Sequence, residues 1–225
     1  MSNTPNFFPM LVRLTGRRCL VVGAGKIAAD KVAGLLIHGA QVEVVSPRAV
    51  RRIQELERKG KILWRRRKFS SRDLDGAFLV VAATNSSVIN QAVFRACQAR
   101  SVLCNAVDDP SHCDFFYPAV VRRGPLQIAI STNGQSPALA ARLRRELEEQ
   151  FGPEWSDWVE YVGKLRREIL DKRMSAKARR KRLLAMASPD EFQEFLRRGS
   201  PQGRGAAGVG ARGKARRPRF HKFKS

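Results

Sequence analysis

Five short segments hold residue types whose spacing could do chemistry. The first is Gly23-Ala24-Gly25-Lys26-Ile27-Ala28, a Gly-x-Gly-x-x-Ala motif. Its first glycine permits a tight turn, its second lets the backbone approach a pyrophosphate, and its alanine keeps the next helix close to a sheet; the amides at that helix start would seat an anion. The expected ligand is a dinucleotide. The second segment, Ser46-Pro47-Arg48, stands where an acidic residue would take a ribose hydroxyl. No acid is there, and Arg48 could face a 2′-phosphate instead, so these residues leave NAD and NADP both open. The third, Ala82-Ala83-Thr84-Asn85, either meets the ligand at a strand end or caps a helix through Thr84 or Asn85. The fourth is Asn105-Ala106-Val107-Asp108-Asp109-Pro110. A carboxylate there could act as general base or orient a substrate, although Asp-Asp-Pro is also an ordinary turn sequence. The fifth, Ser131-Thr132-Asn133-Gly134-Gln135-Ser136, lies before a helix start and suits an anion or polar ligand, or simple capping.

The elements that must position these segments alternate in type. Strands are expected at 19–22, 41–45, 62–66, 78–82 and 102–104, and helices at 26–38, 48–59 and 86–99. That order argues for βαβ units on a Rossmann-like parallel sheet over residues 1–112. After Asn105 the pattern changes. Two apolar strands flank the Gly124-Pro125 turn, and Ser136-Pro137 opens a helix that ends before Gly152-Pro153, giving a strand-helix segment at 113–151. Residues 152–198 read as a small all-helical domain, helical from Trp155 to Leu196 with a break near Ser188-Pro189.

The charge is lopsided: 43 Lys and Arg against 20 Asp and Glu, a formal +23. Such an excess favours polyanionic partners. Residues 199–225 carry 8 basic and no acidic residues among six glycines, a composition that cannot form a core and reads as a disordered basic tail. No apolar run is long enough for a membrane span, and the N-terminus lacks a signal-peptide core, so the expected location is the cytoplasm. The cysteines, Cys19, Cys97, Cys104 and Cys113, form no CxxC pair and are expected as reduced thiols. Cys104, His112 and Cys113 match known zinc spacings poorly, and no residue is assigned to a metal.

In this order the segments resemble the precorrin-2 dehydrogenase/sirohydrochlorin ferrochelatase family, of the siroheme synthase N-terminal type. The resemblance covers roughly residues 5–170. It rests on FFPMLVRLTGRRCLVVGAGKIAADKVAGLLIHGAQVEVVSP, on VVAATN, and above all on CNAVDDPSHCDFFYPAVVRRGPLQIAISTNGQSPALAARLRREL. It implies an NAD-dependent oxidation of precorrin-2 to sirohydrochlorin, and a homodimer in which 113–151 is the dimerisation segment. The family's essential aspartate matches Asp108. Its NAD contacts match the Lys26-Ile27 backbone and the Pro47-Arg48 segment, which favours NAD; with the glycine motif and the strand-end turn read above, the expected cofactor-binding set is Gly23, Ala24, Gly25, Lys26, Ile27, Pro47, Arg48 and Thr84. From the residues themselves, the expected substrate contacts are Asn105 at the rim, Thr132, Asn133, Gly134 and Ser136 of the polar loop, and the basic Arg122, Arg123 and Arg142. A serine that some members phosphorylate is Thr132 here, so that regulation is not carried over. Insertion of ferrous or cobaltous ion, as in ferrochelatase members, is left undecided by the residues.

The substrate class agrees with the charge. Precorrin-2 and sirohydrochlorin carry eight carboxylates, which guanidinium and ammonium groups would steer and hold. A competing reading is an NAD-sensing module that touches nucleic acid through the basic tail. Against it, the folded part has no recognition-helix motif and no RNA-binding aromatic signature.

Overall fold

A strand covered on both faces must be apolar on both, and Cys19-Leu20-Val21-Val22 satisfies this: all four residues are buried. The computed structural model describes residues 7–199. Among them the elements run β1 (Arg18–Val22), α1 (Lys26–Ile37), β2 (Gln41–Val45), α2 (Arg51–Arg58), β3 (Ile62–Arg65), β4 (Leu79–Ala82), α3 (Ser87–Gln98), β5 (Leu103–Ala106), β6 (Ala119–Arg123), β7 (Leu126–Ile130), α4 (Pro137–Gln150), α5 (Glu154–Asp171), α6 (Ala176–Ala185) and α7 (Pro189–Arg198). The chain divides into two compact units between Tyr117 and Pro118.

In the first unit five parallel strands lie in the order β3-β2-β1-β4-β5. Cys19 and Val21 point into one core with Ala28, Val32 and Leu35 of α1 and Ile53 of α2. Leu20 and Val22 point into the other, with Val93 and Cys97 of α3. Helices therefore cover both faces, and the strand order reverses between β1 and β4, where a crevice opens at the carboxyl edge of such a sheet. The expected Rossmann-like fold is what the chain adopts. One carboxylate is buried inside it: Glu43 of β2 is held by Arg18, at 2.8 Å, and by Arg65.

The second unit holds the antiparallel pair β6–β7, joined at Gly124, followed by four helices. Trp155, Trp158, Tyr161, Phe192 and Phe195 of α5 and α7 form its aromatic core. The helix start expected at Ser136-Pro137 is present, with the Ser136 hydroxyl accepting the Leu139 N–H at 3.2 Å.

Three expectations are corrected. The helix expected near 48–59 begins only at Arg51, because Ser46-Pro47-Arg48 forms a turn closed by the Ser46 hydroxyl on the Arg48 carbonyl. The fifth strand runs on to Ala106, since Asn105 pairs with Val81 and bridges to Cys113. The C-terminal helix is interrupted at 172–175 as well as near Ser188: Lys172 is extended, and Ser175 caps α6 by accepting the Ala178 N–H. The basic tail expected at 199–225 lies, apart from Gly199, outside the described residues.

Asp73 gives the first unit a pH-dependent strut. Burial raises its carboxyl pKa, but hydrogen bonds from Arg67, at 2.9 Å to Oδ2, and from the Ser70 N–H outweigh this and hold it below the ordinary 3.8. A depressed folded pKa contributes stability above the unfolded value, and that contribution is lost as pH falls through the folded one. Asp73→Asn is thus expected to lower the urea midpoint at neutral pH, with the gap from the parent closing below about pH 4. An equal gap at every pH would contradict it.

Candidate functional site

The turn after β1 is built around one close approach. Gly23 has φ +105°, and a Cβ placed on it would lie 2.3 Å from the Ala83 carbonyl oxygen. Only glycine fits between the β1 and β4 strand ends. Gly25 is different: its φ is −80°, open to any residue, and a Cβ there meets no protein atom within 4 Å. The space above it is free for a ligand. No side chain caps α1 and its first turn holds no acid, so the amides of Lys26 and Ile27 offer donors to an anion. Ala28 is fully buried and lets α1 sit close to the sheet. A dinucleotide pyrophosphate fits this cradle.

The remaining strand ends line the same edge. Pro47 and Arg48 are exposed beyond β2, with the Ser46 carbonyl held by the Trp64 indole N–H at 2.9 Å. Beyond β4, the Thr84 hydroxyl lies 2.8 Å from Asn90 Oδ1, while the Asn90 amide donates to the Thr84 carbonyl at 3.2 Å. Ser86, rather than Thr84 or Asn85, caps α3. Thr84 shapes the turn that meets Gly23. Buried Asn90 was not foreseen, and a polar residue on the second turn of an otherwise apolar helix face was its only sequence signal.

Beyond β5 the two adjacent aspartates have different surroundings. Asp109 lies 2.8 Å from His112 Nδ1 and accepts from the Gln91 amide at 3.3 Å, and these partners, His112 foremost, hold its carboxyl below the usual range. Asp108 is exposed, adopts the left-handed φ of +63°, and makes no hydrogen bond or ion pair among the described residues. The strand-end hydrogen bond from the Val107 N–H to the Ala82 carbonyl, 2.9 Å, fixes its place beside β4. Asn105 is buried, with its amide donating to the Phe115 carbonyl at 2.9 Å, so its N–H groups hold the chain return. The Cys113 thiol donates to the Ala106 and Asp109 carbonyls, and no group of three or more His, Cys, Asp or Glu suited to a metal occurs among the described residues.

The second unit carries the other expected contacts. Ser131, Thr132 and Ser136 each accept a backbone N–H through the hydroxyl oxygen, which leaves each hydroxyl proton to be donated outward. Asn133 and Gly134 are exposed at the tip with φ of +50° and +78°. Arg142 is exposed and pairs with Glu146 at 3.1 Å, and Arg122 is exposed. Arg123 is committed elsewhere: its guanidinium donates to the Phe151 and Glu148 carbonyls at 2.7 and 2.9 Å and closes the end of α4.

Comparison with known proteins bears on the sequence and the fold. Residues 10–119 match the family described as putative NAD(P)-binding, and residues 123–150 match the sirohaem biosynthesis protein central family. A siroheme synthase of Photorhabdus laumondii is 37% identical over 78% of this chain, and siroheme synthase 2 of Yersinia pestis is 37% identical over 86%. The chain spans only 37% and 41% of those proteins' lengths. The solved structure of SirC, a precorrin-2 dehydrogenase, superimposes with a TM-score of 0.70 and 29% identity, covering 85% of this chain and 98% of that one.

The two glycines separate packing from binding. Gly23→Ala should cost about 2 kcal/mol of stability or more, from the positive φ and the backbone clash. Gly25→Ala should unfold like the parent in urea yet bind NAD at least about tenfold more weakly, a loss of about 1.4 kcal/mol, because its Cβ would occupy the space above the turn. Equal stability of the two variants would contradict the assignment.

Proposed function

We propose that the chain is a member of the precorrin-2 dehydrogenase family of siroheme synthase N-terminal type and that it oxidises precorrin-2 to sirohydrochlorin with NAD. The observation that carries this reading is Asp108: an exposed carboxylate without a hydrogen-bond partner among the described residues, at the carboxyl edge that also holds the glycine cradle. Its neighbour Asp109 is already bound by His112 and Gln91.

Bound NAD supplies the hydride acceptor for this reaction. The Gly23–Ile27 backbone would hold the pyrophosphate, and the Pro47-Arg48 turn would stand toward the adenosine end. Oxidation removes two hydrogens from the macrocycle, one as hydride and one as a proton. Asp108 takes the proton from the position next to the carbon that loses hydride, and the freed electron pair extends the conjugation. In the second unit, taken by itself, Arg122 and Arg142 and the hydroxyls and amides of Thr132, Asn133, Gly134 and Ser136 are donors suited to substrate carboxylates. Asn105 and Arg123 serve by fixing the backbone of their loops rather than by touching substrate.

The proposal includes a homodimer formed through β6, β7 and α4. An isolated two-stranded sheet is marginal alone, and Val120, Leu126, Ile128 and Ile130 of this one are only partly buried. It also places the protein in the cytoplasm, a reading supported by four unpaired thiols. Among the described residues no helix is long and apolar enough to cross a membrane.

Asp108→Asn tests the site. Anaerobic incubation with enzymatically generated precorrin-2 should give sirohydrochlorin with the parent, and at least about a hundredfold less with the variant, the usual scale for a lost general base. The NAD dissociation constant should stay within about twofold, because Asp108 does not hold the pyrophosphate. Retained turnover in the variant would remove Asp108 from the chemistry.

A further inference from the structure

Helices α4 and α7 balance their arginines within themselves, and α6 does not. In α4, Arg142 pairs with Glu146 and Arg144 with Glu148; in α7, Arg197 and Arg198 both pair with Glu194. Residues 172–189 hold seven basic residues, from Lys172 to Arg182, and no acid. None of the seven makes an ion pair among the described residues, although Glu168 and Asp171 end the helix before them. Lys177, Arg180 and Lys181 share one exposed face of α6 with Leu184. Like charges at this spacing repel and weaken a helix, and here no intrahelical carboxylate offsets them.

The other side of α6 adds an independent observation. Arg179 shares the half-buried side with Leu183 and Met186, and its Nε is shut off from solvent without an acceptor among the described residues. A buried donor left without an acceptor costs free energy, which is recovered when the guanidinium turns outward to a ligand oxygen. Cations without counter-charges and a donor without an acceptor therefore meet on one short helix. The chemistry of the face narrows the anion that fits. Nucleic acid would find no ring on which to stack its bases, since residues 172–189 hold no aromatic side chain. A membrane would find no apolar face to take up, because Leu184 is the one large apolar side chain that α6 exposes. A ring with carboxylates around its rim needs neither, and meets cations along a helix at several points at once.

We propose that the Lys177-Arg180-Lys181 face of α6, with Arg179, is a binding site for a carboxylate-rich tetrapyrrole, additional to the polar loop at 131–136. This rests on the reading that the chain handles precorrin-2. The face holds the ring by its carboxylates and takes no part in the oxidation. Because its cations are exposed, the attraction is screened as salt rises.

The test is equilibrium dialysis of the full chain against uroporphyrin III, which carries as many carboxylates as sirohydrochlorin, and against coproporphyrin III, which carries half as many. The parent is compared with the triple variant Lys177→Glu, Arg180→Glu, Lys181→Glu and with Arg179→Met, with NAD binding and the urea midpoint reporting on folding. The parent should bind uroporphyrin more tightly than coproporphyrin and lose affinity as salt rises. In the triple variant the salt-sensitive affinity should fall about tenfold or more. Arg179→Met should weaken it about threefold without lowering the urea midpoint, since no Nε hydrogen bond within the chain is lost. Uroporphyrin bound equally by the parent and the triple variant overturns the proposal. A single-stranded RNA of mixed sequence, or phosphatidylserine vesicles, held more tightly than uroporphyrin by the parent and released by the triple variant would give the face to another partner and overturn it as well. None of these readouts needs turnover. A parent that binds uroporphyrin through α6 but forms no sirohydrochlorin would sink the dehydrogenase reading alone, and turnover without any α6-dependent binding would sink the α6 site alone.

Discussion

The contact on which the rest of the first unit depends is the one between Gly23 and the Ala83 carbonyl. Because no Cβ can stand there, the ends of β1 and β4 draw together where the strand order reverses. That approach brings the start of α1, with its uncapped amides, next to the β4 turn. The Thr84–Asn90 network then locks the β4 turn from the far side. The β5 end is tied to β4 by the Val107–Ala82 hydrogen bond, so Asp108 is delivered to the same edge as the cradle. Backbone geometry, more than any single side chain, sets the distance between cofactor seat and carboxylate.

The charged groups of the described residues divide into those that build and those left to act. Glu43, Asp73 and Asp109 are all engaged, by arginines or by His112 and Gln91, and they brace strands and turns. Arg123 closes a helix end. Engagement of this kind costs a group its freedom to meet a ligand, and it is the reason two neighbouring aspartates with one sequence context are assigned different duties. The net positive charge works on a longer scale, favouring a substrate rich in carboxylates without any one residue being decisive.

Much of this was legible in the sequence. The strand and helix alternation reads directly because the Cys19–Val22 and Leu79–Ala82 runs are apolar throughout and α1 follows its glycines at once. The Ser136-Pro137 start is likewise visible, since a hydroxyl cap followed by proline has few other uses. What escaped reading depends on contacts between distant segments. Asn105 looks like a rim residue until its bridge to Cys113 is seen, and Arg123 looks like an anion ligand until the carbonyls of Glu148 and Phe151 appear beside it. The break at 172–175 hides because its residues have ordinary helix propensity and only the Ser175 cap marks it.

The measurement that bears most directly on the account is the stoichiometry of the oxidation. Purified protein, precorrin-2 and NAD would be mixed without oxygen, and NADH and sirohydrochlorin followed together by absorbance. The account predicts one NADH formed for each sirohydrochlorin, with NADP a poor substitute. Sirohydrochlorin appearing without matching NADH, or no oxidation with either nucleotide, would contradict it.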